Sequence, residues 1–229
     1  MTLLQVIDTA RSLVNEPLDS SRTFPDNTSS FWTDSVLIDY FNMVQHDVSL
    51  EIMQTFEDYF LTQSDFSIVA GTAEYSLPAR TVKIRRVEDR RSTSEPTEIR
   101  PVTINDRHVE RYLVNNDSAA FWAGGYYIRG DQVVFTDTPT FTNASAIRMF
   151  YIRALADVSA ATASSDIPVE HHRIIVYGLV AHMLRQQQSD ANWATLEYDK
   201  MMARLKLQCE NRQIQRPRAV KSSYRRTFR

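Results

Sequence analysis

Glu170, His171 and His172, with His182 ten residues further on, are the side chains best suited to chemistry, because one carboxylate and three imidazoles are ordinary ligands for a divalent metal. Their spacing argues against a shared ion. Neighbouring residues on a helix point about 100° apart, so His171 and His172 diverge, and no HExxH pattern occurs. The run reads instead as the polar start of a helix, and His182, beside an apolar stripe, as a hydrogen-bonded core histidine. Cys209 is the sole cysteine, so no intramolecular disulfide or cysteine-based zinc site can form. No spacing supplies it with a base and an orienting partner, which makes it a structural residue. Only five glycines occur, about 2% against a usual ~7%. GxxxxGK[ST], GxGxxG and GxSxG are all missing, so phosphate cradles and nucleophile elbows lack their backbone. Glu51, Glu57 and Asp58 are spaced like a solvated helix face. No catalytic residue, cofactor or metal is expected, and nothing points to an enzyme.

Charge tells more than motifs do. The chain carries a net −2, yet Arg212, Arg216, Arg218, Lys221, Arg225, Arg226 and Arg229 close it with seven cations and no acid, leaving −9 on residues 1–211. An acidic body with a basic end reads as a folded core plus an arm. Tyr224 and Phe228 interleave those cations, and 18 extended residues reach about 60 Å. Such an arm could bind nucleic-acid phosphates, dock in an acidic groove on a protein, or merely solubilise. The aromatics favour docking, since they can fill pockets that a purely electrostatic arm would not use. Phe31, Trp32, Phe121, Trp122, Tyr126 and Tyr127 are core plugs or interface anchors at element boundaries.

The elements that must position these residues follow from period. Leu3, Val6, Ile7, Ala10 and Leu13 form one stripe of a first helix from Thr2 to about Val14. A polar stretch with Pro17 and Pro25 follows as a loop. Thr33 or Asp34 can cap a second helix, on which Leu37, Phe41, Val44, Val48, Ile52, Phe56 and Tyr59 recur at helical steps to about Phe60. Some 28 residues would make it ~42 Å long. From Phe66 the period shortens. Phe66–Val69 and Tyr75–Leu77 alternate around an Ala70–Ala73 turn, and Val82–Val87 alternates apolar with basic residues. Ile99–Ile104 is a further candidate strand, and Asp106–Val114 a short helix. Tyr126–Arg129 and Gln132–Phe135 flank Gly130-Asp131 as a hairpin, and Ala146–Arg153 closes the β region. Asp157–Ser165 is a linker or surface loop. Pro168 opens a third helix to about Gln187, and Ser189 or Asp190 caps a fourth to about Arg212.

The expected fold class is α+β: a helical bundle formed from the N- and C-terminal parts with an inserted antiparallel β subdomain and an extended C-terminal arm. The expected divisions are a helical part at 1–65, a β subdomain at 66–156, a helical part at 157–211, and a basic arm at 212–229. No signal peptide is expected from the first residues, and no apolar run reaches the ~18 residues of a membrane helix.

Trp32-Thr33-Asp34, Leu37, Phe41-Asn42 and the run Ala70-Gly71-Thr72-Ala73-Glu74-Tyr75-Ser76-Leu77-Pro78 together resemble tailed-bacteriophage head-to-tail adaptor proteins. Tyr127, Gly130, Val134, Phe135 and Pro139 are similar to that family's next hairpin, and Ile167-Pro168 to the start of its third helix. The resemblance covers roughly residues 30–190. It implies a non-enzymatic virion protein of the neck, assembled in the host cytoplasm as a homo-oligomeric ring, typically twelve-fold. Its implied partners are the portal protein, a tail or nozzle protein, and genome DNA that passes through the ring without sequence recognition. Family adaptors often embrace the portal with a C-terminal arm, which by position and character implies portal contacts for Arg212, Arg216, Arg218, Lys221, Tyr224, Arg225, Arg226, Phe228 and Arg229. An alternative is a nucleic-acid-binding protein that uses the same basic tail.

Overall fold

The computed structural model describes residues 1–16, 23–25, 31–91, 96–105 and 124–213. They divide into two compact units, one from 1–56 with 157–229 and one from 57–156. The architecture is α+β. The expected helix at Asp106–Val114 lies outside the described residues, as do Phe121, Trp122 and the chain beyond Gln213.

The first unit is helical: α1 (Leu3–Leu13), α2 (Asp34–Thr55), α3 (His172–Gln186) and α4 (Asn192–Gln213). Each begins for a local reason. Thr2 and Gln5 cap α1 reciprocally, each side chain accepting from the other's backbone N–H. Thr33 caps α2 by accepting from the Val36 N–H. Pro168 opens a 3-10 turn, Val169–His171, and α3 proper starts at His172. Asp190 accepts from the Asn192 N–H at the head of α4. α3 is the centre of the unit, buried around most of its circumference through Ile174, Ile175, Leu179, Val180 and Met183. Leu3, Val6 and Ile7 of α1, Phe41, Val44 and Val48 of α2, and Met202, Leu205 and Cys209 of α4 complete that core.

α2 stops earlier than its period suggests. It ends at Thr55, Phe56 caps it, and a 3-10 turn at Glu57–Phe60 leads into a strand. Phe56 and Tyr59, placed on the helical stripe by their spacing, therefore belong to the cap and the turn. The strand period begins at Leu61 rather than Phe66.

The second unit contains β1 (Leu61–Ile68), β2 (Glu74–Ser76), β3 (Thr81–Asp89), β4 (Thr97–Ile99), β5 (Tyr126–Arg129), β6 (Gln132–Phe135) and β7 (Asn143–Arg153). They form two antiparallel sheets, ordered β1-β7-β3-β4 and β2-β6-β5. Gly130 takes φ +57° in the tight β5–β6 turn, a conformation open to glycine. Only Ile99 of the expected Ile99–Ile104 strand is in a strand, while Pro101 bridges to Tyr126. β1 and β2, which flank the Ala70–Ala73 turn, do not pair with each other. β1 pairs with β7 and β2 with β6, so the turn carries the chain from one sheet to the other. Ile68, Val87, Ile99, Tyr126, Val133, Phe135, Ile147 and Met149 fill the core of this unit. On the opposite face of the larger sheet, Asp65, Arg148 and Glu88 stand in one register row, and Arg148 grips Asp65 with two hydrogen bonds of 2.6 and 2.8 Å.

Candidate functional site

α4 ends against the 3-10 turn that precedes α3, just before the basic residues expected to form the arm. His171 Nε2 and Gln208 Oε1 lie 2.7 Å apart and fasten turn to helix. The Glu170 carboxyl is held below its ordinary range, first by a backbone N–H, then by the charges of His171 and Arg212 and a hydrogen bond from Gln208. Arg212 is thus a residue of α4 whose charge bears on Glu170, not the first residue of an extended arm. Arg216, Arg218, Lys221, Tyr224, Arg225, Arg226, Phe228 and Arg229 lie outside the described residues. Cys209 is buried one turn before Arg212, and burial pushes its thiol up, with Arg212 pulling weakly the other way. A thiol held protonated is a packing residue.

The histidines do not converge. His171 faces Gln208, while His172 is buried with Nε2 2.8 Å from the Ile167 carbonyl and Nδ1 2.8 Å from the Met1 amino group. Among the described residues no three potential ligands cluster. His182 is half-buried and stacks on Tyr40 at 5.2 Å, a ring contact in place of the expected core hydrogen bond. Of the boundary aromatics, Trp32 and Tyr126 are buried, whereas Phe31 is 74% exposed.

A buried charge cluster that spacing did not reveal sets the start of α2. Arg11 Nη1 lies 2.9 Å from Glu16 Oε2, and Nη2 lies 2.8 Å from Asp34 Oδ1 while also donating to the Trp32 carbonyl. Glu16 Oε1 in turn accepts from the Trp32 N–H at 3.2 Å. Arg11 and Asp34 are essentially inaccessible to solvent. The signal was present in outline: Arg11 adjoins the apolar stripe of α1, and Asp34 directly follows the capping Thr33.

A family model described as SU10 adaptor protein matches residues 1–225. The chain belongs to that family. It is therefore a phage adaptor, a structural protein of the head-to-tail type, and the neck of the virion is the place such a protein implies. The match takes in the first 30 residues and most of the basic end of this adaptor, both beyond the reach of the sequence resemblance. No curated protein matches the adaptor. No helix among its described residues is long and apolar enough to cross a membrane.

Proposed function

We propose that this adaptor forms a homo-oligomeric ring, typically twelve-fold, between the portal and a tail or nozzle protein, and that it holds the portal with its basic C-terminal arm. The observation that carries this reading is the family match from residue 1 to residue 225. Genome DNA would pass through the ring without sequence recognition. The helical unit supports such a role physically: α2 and α4 are each 22 residues, about 33 Å, and long helices offer the extended surfaces that a closed head-to-tail ring requires. The arm starts beside Cys209 and Arg212, so its root is anchored in a packed helix. Its cations suit an acidic groove, and Tyr224 and Phe228 suit apolar pockets within it.

The test is the mass of the full chain co-purified with the portal protein of the same phage, compared with a chain lacking residues 214–229. A ring-sized complex lost on truncation is expected. Replacing Tyr224 and Phe228 by Ser, with every charge kept, should weaken portal binding. A chain that ignores portal and instead binds duplex DNA, with affinity falling steeply in salt, overturns the proposal in favour of phosphate binding by the tail.

A further inference from the structure

α2 is acidic throughout its length: Asp34, Asp39, Asp47 and Glu51 are its only fully charged side chains, with no Lys or Arg among its 22 residues. Two of the four are neutralised within the fold, Asp34 by Arg11 and Glu51 by Lys206. Asp39 has no ion-pair partner among the described residues. It shares the outward face of α2 with two large apolar side chains, Met43 (43% exposed) and Leu50 (53% exposed). Val36, Met43 and Leu50 recur every seven residues, so they lie in line on that face.

α4 presents the counterpart. Its buried stripe is narrow, running through Ala194, Met202, Leu205 and Cys209. Opposite that stripe, Leu196 (67% exposed), Lys200, Ala203 and Leu207 (59% exposed) lie in line, with Arg204 at the edge of that face. Lys200 pairs with Glu197, and Lys206 with Glu51, but Arg204 has no ion-pair partner among the described residues. Among the described residues, one face therefore offers apolar residues around an unpaired acid, and the other apolar residues bordered by an unpaired cation.

We infer that the outward face of α2, centred on Asp39, Met43 and Leu50, packs against the outward face of α4, centred on Leu196, Arg204 and Leu207, of a second copy of this chain. The two surfaces are different, so the contact is heterologous, the kind that closes a ring rather than a two-fold dimer. Apolar burial supplies the attraction, and the Asp39–Arg204 pairing selects α4 over another α2, because two acidic faces repel. The inference rests on the ring proposed above and names the surfaces that build it.

Mass measurement of the full chain co-purified with portal tests it through charge exchange. Asp39→Arg and Arg204→Glu should each reduce the ring fraction at least tenfold, since each sets like charges face to face. The double variant carrying both changes restores the opposition and should recover the ring. An equimolar mixture of the two single variants should recover it as well, because each supplies the face that suits the other. Both positions are exposed, so folding is checked simply by an unchanged melting temperature. If the wild-type chain forms a ring and both single variants do so equally well, the assignment of faces is overturned and the ring stands. If the double variant and the mixture stay as impaired as the single variants, the assignment is likewise overturned. If the wild-type chain forms no complex with portal, the ring itself fails and the contact with it.

Discussion

A methyl group placed on Gly178 of α3 would lie 2.5 Å from Cγ1 of Val44 on α2 and 3.2 Å from Cε2 of Tyr198 on α4. Three helices meet at that point, and the absent side chain lets them approach. Val44 is β-branched and fully packed, so it cannot swing aside cheaply. Gly178→Ala should cost about 1–3 kcal/mol through overpacking, despite alanine's better helix propensity. Denaturant unfolding would check this, and a neutral or stabilising result would show that α2 and α3 separate freely.

Arg11 holds three partners in a site closed to water. Arg11→Ala leaves the Asp34 and Glu16 carboxylates without their counter-charge and should cost about 3–5 kcal/mol. Asp34→Asn keeps the Arg11–Glu16 pair and should cost less. Hydrogen exchange should show the loss concentrated at the first turn of α2, since the Trp32 carbonyl and N–H are the groups released.

Acid should loosen the helical unit before most carboxylates titrate. Burial lowers the affinity of His172 and His182 for a proton, with the Met1 amino group adding to the effect on His172 and Arg185 to that on His182. A histidine depressed in the fold takes up its proton more readily once unfolded. Its stabilisation is complete above the ordinary value of 6.5 and is lost as pH falls toward the depressed one. Melting temperature should therefore decline below about pH 6.5. His182→Phe, which keeps a ring on Tyr40, should flatten part of that decline.

Tyr198 is pushed up to about 12, chiefly by burial and then by the charges of Asp47, Glu51 and Asp199. A group raised in the fold stabilises below its unfolded value near 10 and ceases to do so as pH climbs toward 12. Carbon-13 spectra of labelled tyrosine should show a ring that ionises only near pH 12, and Tyr198→Phe should remove that signal.

Much of this fold could be read along the chain because it is encoded within a few residues. Thr33 and Asp190 satisfy first-turn amides from at most three residues away, and Gly130 sits in a tight turn whose positive φ its missing side chain favours. The apolar steps on α1, α2 and α3 name their buried faces for the same reason. The positive charge of the C-terminal residues was equally plain, since counting needs no structure. Other features depended on residues far apart in sequence. A period of two marks β1 and β2 as strands but carries no record of partners, so only the folded chain could send one to β7 and the other to β6. Phe56 and Tyr59 continue the helical spacing of α2, yet the chain turns at Thr55 to begin that sheet. Arg11 is buried only because Glu16 and Asp34, 5 and 23 residues along the chain, close over it. Local hydrogen bonds and side-chain period are short-range and additive, and sequence displays them. Strand partnership and the burial of charge are settled by long-range packing, which exists only once the chain has folded.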